Sequence, residues 1–323
     1  MNAALAPSET ASLTAVSPEL VDAARAFAQA ARSENTLRAY RRQWDAFSAW
    51  CGARGFPSLP AAPAVVALYV TDKVGAGWKV AGLAQALAAI SVAHVAAGHP
   101  SPRGAREVRE VMAGVRRKVG TAQRQAAPLM RDQLRAISEA LPATLKGQRD
   151  RALLLVGFFG AFRRSELVGL EVEDVRFSAE GLEVTLRRSK TDQDGAGHVK
   201  ALPYAATPSL CPVRALRAWL DAAGVTTGPL FREVTRHGTV APAPLSGRSV
   251  SRLVKESLEA AGLDADGFSG HSLRAGFATQ AAKSGKAERA IQRQTGHRSV
   301  TMLRRYIRDA NLWTENAAAG LLD

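Results

Sequence analysis

The chain is poor in cysteine, in aromatic residues and in acid. It has two cysteines in 323 residues, Cys51 and Cys211, both in apolar helical patterns. They read as buried thiols of a reducing compartment, neither a disulfide nor a metal site. No apolar run is long enough to span a bilayer, and the N-terminus lacks the basic-then-apolar order of a signal peptide. A cytoplasmic protein with no membrane partner is therefore expected. HExxH, paired aspartates and cysteine ligand pairs are all missing, so no metal and no other cofactor is expected. Acid is the most telling shortage. Asp and Glu number 29 against 43 Lys and Arg, giving a net charge of +14. Such an excess points to a polyanionic partner, most simply nucleic acid, against the plainer reading of a merely soluble basic protein.

What is present is enough for a substantial core: 46% of residues are hydrophobic, and the length suggests two domains. Residues 1–32 are rich in Ala, Ser, Thr and Pro and read as a partly disordered arm. Ser33 then caps an amphipathic pattern in which Leu37, Tyr40, Trp44, Phe47 and Cys51 recur at helical spacing, leaving Arg38, Arg41 and Arg42 on the other side. Further helices are predicted from Pro63, from about Lys79 to Ala97, and from about Ala105 to the basic end Arg116, Arg117 and Lys118. This all-α module spans 33–119, and Arg38, Arg41, Arg42, Lys79, Arg116, Arg117 and Lys118 are its expected DNA contacts. Residues 120–128, GTAQRQAAP, lack an apolar period and read as a linker.

A second domain, 129–323, opens with an amphipathic helix and then RALLLVGFFGAF, which is apolar nearly all round and so a buried central helix. Arg163 follows at once. Burying a guanidinium unpaired is costly, so either Glu166 pairs with it or it points into a cleft where an anion arrives. From Asp174 to Pro203 the period switches to two: Leu182, Val184 and Leu186 alternate, and Val199 and Leu202 follow a polar, glycine-containing turn. A small antiparallel sheet is predicted, with Lys190 on the tip of one hairpin. After Cys211 comes another helix, and a further one opens at Leu245-Ser246-Gly247-Arg248 with Arg248 and Arg252 outward, both expected to contact DNA. The fold class is thus mainly α with a small antiparallel sheet: an all-α domain and an α+β domain.

The stretch Ser269 to Tyr306 holds two of the six histidines, His271 and His297, and one of four tyrosines. His271 and Arg274 share a helical face, Gly296 reads as a helix stop, and Ser299 reads as the cap of a helix carrying Tyr306 among Arg304, Arg305 and Arg308. A tyrosine among cations suggests a phenol held near an anion. Taken singly, an HxxR is usually a surface pair, and a lone tyrosine such as Tyr306 is more often packing than chemistry.

Taken together, Arg163, Glu166, Lys190, His271, Arg274, His297 and Tyr306 form one constellation. It resembles the tyrosine recombinase (phage integrase) family through GAFRRSEL, RRSKTDQ, GHSLRAG, TGHRS and MLRRYIR, with SENTLRAYRRQWDAFSAWC resembling the core-binding domain, and SENT, LSGR, SGHS-x-R-x-G and YIR look closest to the Cre-like branch. The resemblance implies a site-specific recombinase that cuts and rejoins DNA without metal or nucleotide. Tyr306 would be the nucleophile, forming a 3′-phosphotyrosyl link, and exchange would pass through a Holliday junction. Arg163 and Arg274 would hold the phosphate, Lys190 would be the acid, His271 the base assistant and His297 a phosphate contact; Glu166 would orient the cations. The implied partners are double-stranded DNA with an inverted-repeat site and a homotetramer on two duplexes, in a bacterial, phage or plasmid setting and nucleoid-associated. The C-terminal segment with Leu312, Trp313, Leu321 and Leu322 is expected to dock on a neighbouring protomer or on its own domain. Arg248 is expected in the helix that resembles the branch's major-groove reader. Type IB topoisomerase-like relaxation and non-catalytic DNA binding are the alternatives.

Overall fold

The computed structural model describes residues 19–20, 33–122, 125–187, 197–297, 299–311 and 318, with Met302 and residues 308–311 described by backbone alone. The chain divides into two compact units, residues 1–123 and 124–323.

In the first unit α1 (Glu34–Gly52) starts where Ser33 Oγ accepts the Thr36 N–H, replacing one hydrogen bond that the first turn lacks. Helix α2 (Pro63–Gly75) opens on a proline, whose missing N–H is no loss in a first turn. Helices α3 (Val80–Ala96) and α4 (Arg106–Val119) complete the unit. Phe47, Tyr69, Leu83 and Ile90 are fully buried at its centre, with Phe47 and Tyr69 edge to face, 5.0 Å between centroids. His94 is buried too. Its Nε2 accepts the Ala61 N–H at 2.9 Å while Nδ1 faces Ile90 O at 2.8 Å, so it ties a loop to α3 and is a structural histidine. Leu37, grouped with the apolar stripe from spacing alone, is 38% exposed. It lies in the first turn of α1, ahead of the first buried positions, Gln43 and Phe47.

In the second unit α5 (Arg131–Ala140) precedes α6 (Leu145–Phe159), whose residues 152–158 are all buried, as an all-apolar surface requires. The short α7 (Arg164–Val168) leads to the antiparallel sheet β1 (Val175–Phe177), β2 (Gly181–Leu186) and β3 (His198–Pro203), with Leu182 opposite Leu202 and Leu186 opposite His198. Leu182, Val184, Leu186 and Leu202 are buried, but Val199 is 57% exposed. Alternation along a strand puts 200 and 202 on one face, so the inward partner of Leu202 is Lys200. Helix α8 (Pro212–Ala223) packs on α6 and anchors Trp219, whose indole donates to Leu230 O at 2.9 Å. A hairpin of β4 (Arg232–Val234) and β5 (Val240–Pro244) has no period-two signal in its sequence, and its prolines at 242 and 244 suit an edge.

The last helices are α9 (Gly247–Ala260), α10 (Ser272–Lys283), α11 (Glu288–Thr295) and α12 (Val300–Asn311). Helix α10 meets the strand-like approach to α5 at Gly276, where a Cβ would stand 1.9 Å from Leu129 O, so only glycine lets the two backbones come so close. The Leu129 N–H bonds Ser272 O and the Ala127 N–H bonds Gly267 O, which ties residues 127 and 129 to this unit. Ala278, Ala282, Ile291 and Leu303 form a small core between α10, α11 and α12, and Tyr306 packs against it.

Candidate active site

The turn that ends α6 builds the site. Gly160 leaves the helix, Ala161 takes the left-handed conformation with φ 46°, and Arg163 emerges as the cap of α7. Its N–H donates to Glu166 Oε2 at 2.8 Å, and its Nη1 donates to Glu166 Oε1 at 2.5 Å. Glu166 is 7% exposed, so this is a partly buried, charge-assisted pair. Of the two sequence readings of Arg163, the pairing with Glu166 is the one seen, and its Nη2 also donates to Gly296 O at 3.3 Å, next to His297.

Arg274 comes from the first turn of α10. It is 6% exposed, its Nη1 donates to Ala161 O at 2.8 Å, and its Nη2 is buried without a hydrogen-bond partner among the described residues. A buried guanidinium nitrogen with no acceptor is expensive unless an anion completes it. Burial, with Arg163 beside it, lowers the Arg274 guanidinium to about 10, against the opposing pull of Glu166 and Tyr306. It therefore stays charged at neutral pH.

Gly296 closes α11 in the left-handed conformation, as its place in the sequence suggests, and turns the chain so that His297 faces inward. Thr295 Oγ1 donates to Ile291 O at 2.8 Å, so it accepts from His297 Nδ1, also at 2.8 Å. That assigns the proton to Nδ1 and leaves Nε2 bare. Burial, then Arg274, Arg163 and Lys200, lowers His297 to about 4, and the imidazole is neutral at pH 7. Its ring centroid lies 6.1 Å from that of Tyr306, which is half-buried on α12. The cations next to Tyr306 in sequence engage other groups: Arg304 pairs with Glu288 at 3.2 Å, and Arg305 lies against the side-chain amide of Gln125. The side chain of Arg308 lies outside the described residues.

His271 is exposed at the start of α10, three residues before Arg274, and its N–H bonds Ser269 Oγ. Lys190 lies outside the described residues, on the connection between β2 and β3, as do Leu312, Trp313, Leu321 and Leu322. Among the described residues no group of three or more His, Cys, Asp or Glu is placed to hold a metal, and no helix is long and apolar enough to cross a membrane.

The basic residues singled out from sequence are exposed. Arg38, Arg41 and Arg42 lie on α1, Lys79 at the start of α3, and Arg116, Arg117 and Lys118 in the last turn of α4. In the second unit Arg248 is exposed in the first turn of α9, after Ser246 caps it, and Arg252 pairs with Glu256 at 3.5 Å. Two groups near the site went unrecognised from sequence. Gln294 donates to Phe159 O at 2.9 Å, and Lys200 reaches Gly160 O at 2.6 Å. Strand parity signals the lysine; no local pattern marks the glutamine. An apolar cavity of about 400 Å³, lined by Phe158, Phe159, Phe277, Ala281 and Ile291 among others, opens beside the same turn.

Two guanidiniums, a neutral histidine and a phenol, delivered by four separate elements of a helical unit with a three-stranded antiparallel sheet, are the setting of an enzyme of the tyrosine recombinase class. Residues 128–312 match the phage integrase family, and the chain belongs to it: it is a site-specific tyrosine recombinase. It is 41% identical over 292 residues to the integrase/recombinase XerD homolog of Selenomonas ruminantium, covering 88% of this chain and 85% of that protein. Identity to recombinase Cre of Escherichia phage P1 is 28% over 306 residues, covering 88% of this chain and 87% of Cre. In fold, the chain is similar to lambda integrase (75–356), solved as a dimer bound to a COC′ core site, with TM-score 0.59 at 20% identity over 89% of this chain and 93% of that one. It is also similar to the XerH site-specific recombinase in a post-cleavage complex with a palindromic difH substrate, with TM-score 0.59 at 18% identity over 81% and 73% of the two chains.

Proposed function

We propose that Tyr306 is the nucleophile of DNA strand cleavage, with Arg163 and Arg274 as the clamp on the scissile phosphate. The observation that carries this reading is the Nη2 of Arg274, buried without a hydrogen-bond partner among the described residues, in a site where the Tyr306 ring lies 6.1 Å from that of His297. Attack of Oη on phosphorus forms a P–O bond to tyrosine and breaks the bond to the 5′-oxygen. Negative charge grows on the non-bridging oxygens, where two fixed guanidiniums act more strongly than water could. A free phenol has a pKa of about 10, so its proton must pass to a base as it attacks. His271 takes that part, and Lys190 protonates the departing 5′-oxygen. His297, neutral without DNA, contacts the phosphate once it takes up a proton. Glu166 orients Arg163. The product is a 3′-phosphotyrosyl link and a 5′-hydroxyl, and the hydroxyl of a partner strand reverses the step without nucleotide or metal.

Two such exchanges through a Holliday junction call for four protomers on two duplexes, each site an inverted repeat. A palindromic substrate is the one named for XerH, and the basic surfaces of both units here suit duplex DNA. Residues 33–119 serve as the core-binding domain and 129–323 as the catalytic domain. The apolar cavity beside α6 suits the segment carrying Leu312, Trp313, Leu321 and Leu322 from a neighbouring protomer.

A suicide substrate nicked near the cut tests the chemistry. The wild type should trap a covalent adduct, and Tyr306→Phe should bind DNA and trap none. An adduct on the Phe variant would place the nucleophile elsewhere. Plasmid relaxation run beside a two-site recombination assay separates strand exchange from topoisomerase-like swivelling.

A further inference from the structure

Three consecutive carbonyls at the end of α6 are each held by a side chain from a different element. Phe159 O accepts from Gln294 of α11 at 2.9 Å, Gly160 O from Lys200 Nζ of β3 at 2.6 Å, and Ala161 O from Arg274 of α10 at 2.8 Å. The last carbonyls of a helix have no partner within it and form its negative end, which favours cations. The turn itself is tight. Ala161 has φ 46°, and the Phe162 ring lies so close over Gly160 that a Cβ there would stand 2.0 Å from it. The next residue is Arg163.

Lys200 is the unusual member. It is 2% exposed, its ammonium stands 4.6 Å from the Phe162 ring centroid, and among the described residues no carboxylate lies within ion-pair distance of it. A methionine of similar length would fill the same space without the cost of desolvating a charge. What the ammonium adds is a charge-assisted hold on Gly160 and positive charge behind the two guanidiniums.

We propose that Lys200 is a positioning residue for strand cleavage: it braces the Gly160–Phe162 turn from behind, so that Arg163 and Arg274 meet the phosphate in one fixed arrangement. This inference rests on the roles proposed above for Arg163, Arg274 and Tyr306. The groups facing Lys200 are Glu166 and Arg163 from α7, Arg274 from α10, and His297 after α11. Burial brings the ammonium down to about 7; Glu166 opposes the shift, while Arg274 and Arg163 add to it. The brace therefore weakens as pH rises through neutrality, and an arriving phosphate strengthens it by favouring the charged form.

The test is single-turnover cleavage by the full-length Lys200→Met variant on a nicked suicide substrate, alongside DNA affinity and melting temperature, with Tyr306→Phe as control. The variant should fold and bind as the wild type does but cleave about 10- to 100-fold more slowly, the scale of a small misplacement of catalytic groups. The ratio of wild-type to variant rates should shrink as pH rises, because the wild type then loses the charge that the variant lacks throughout. If Lys200→Met does not fold, Lys200→Gln, which keeps a donor without charge, is read by the same criteria. A wild-type rate, or a defect that does not change with pH, would overturn the positioning role. An adduct formed by Tyr306→Phe would instead overturn the site assignment on which it rests.

Discussion

Arg274 donates to the carbonyl of Ala161 at 2.8 Å, and Ala161 holds a left-handed φ of 46°. A β-carbon disfavours that conformation, so the turn persists because its surroundings fix it. One guanidinium thus secures the loop that presents the other, while its second nitrogen is buried without a hydrogen-bond partner among the described residues.

Arg274→Ala should therefore cost more than a single lost donor. One preorganised donor in a transition state is worth about 3 kcal/mol, or roughly two orders of magnitude in rate. Arg163→Ala should lose that much and also leave Glu166 buried without its partner. Lysine should rescue either position weakly, because the planar fork is lost. Single-turnover cleavage rates decide: an alanine variant near the wild-type rate reduces that arginine to structure.

Much of this site is legible in the sequence, for a physical reason. Arg163, Arg274, His297 and Tyr306 each occupy the start, stop or inner face of a helix whose period and caps can be read locally, as Gly296 shows. Lys200 goes unrecognised because charge suggests exposure, whereas strand parity with Leu202 buries it. The same parity turns Val199 outward. Leu37 fails in the opposite way: it has the right spacing but lies ahead of the packed part of α1. The company of Tyr306 is not legible at all. Arg304 and Arg305 adjoin it in sequence yet lie against Glu288 and Gln125, while the ring beside it is that of His297, from the turn after α11. Contacts of that kind arise only when α10, α11 and α12 pack together.

His297 makes the DNA-free protein sensitive to acid. Its folded pKa is lowered to about 4 from the ordinary 6.5, chiefly by burial. Between those values the unfolded chain binds a proton that the folded one does not, so stability falls as pH drops from about 6.5 toward 4. His297→Gln should show a shallower decline in melting temperature across that window. Parallel curves for the two proteins would mean that His297 is not held neutral by the fold. Bound DNA should lessen the wild-type decline, since a phosphate favours the imidazolium.

Lys190 has a chemical signature independent of where its loop rests. If it protonates the departing 5′-oxygen, a substrate with sulfur at that bridging position needs no acid, because a thiolate leaves without a proton. Lys190→Ala should then cleave the ordinary substrate far more slowly than the wild type and the sulfur substrate at a comparable rate. Equal defects on both would leave Lys190 a DNA contact only.

Recognition should divide between the two units according to where their cations sit. Arg248 is exposed in the first turn of α9, and the first turn of a recognition helix is where side chains commonly meet base edges. An arginine there most simply reads guanine through O6 and N7. Arg248→Ala should therefore relax preference at one base pair by about 1–3 kcal/mol. Arg252, one turn on, is partly engaged by Glu256 and should matter less. Arg116, Arg117 and Lys118 are exposed in the last turn of α4, where flexible cations suit phosphates and carry no sequence information. Neutralising Arg116 and Arg117 should weaken binding to all sequences alike and reduce the slope of log K against log salt by about 0.9 for each phosphate that is no longer neutralised. Binding-site selection on the Arg248 variant separates the two modes. A broadened preference at one position supports base reading, whereas an unchanged preference with uniformly weaker binding would put Arg248 on the backbone with the others.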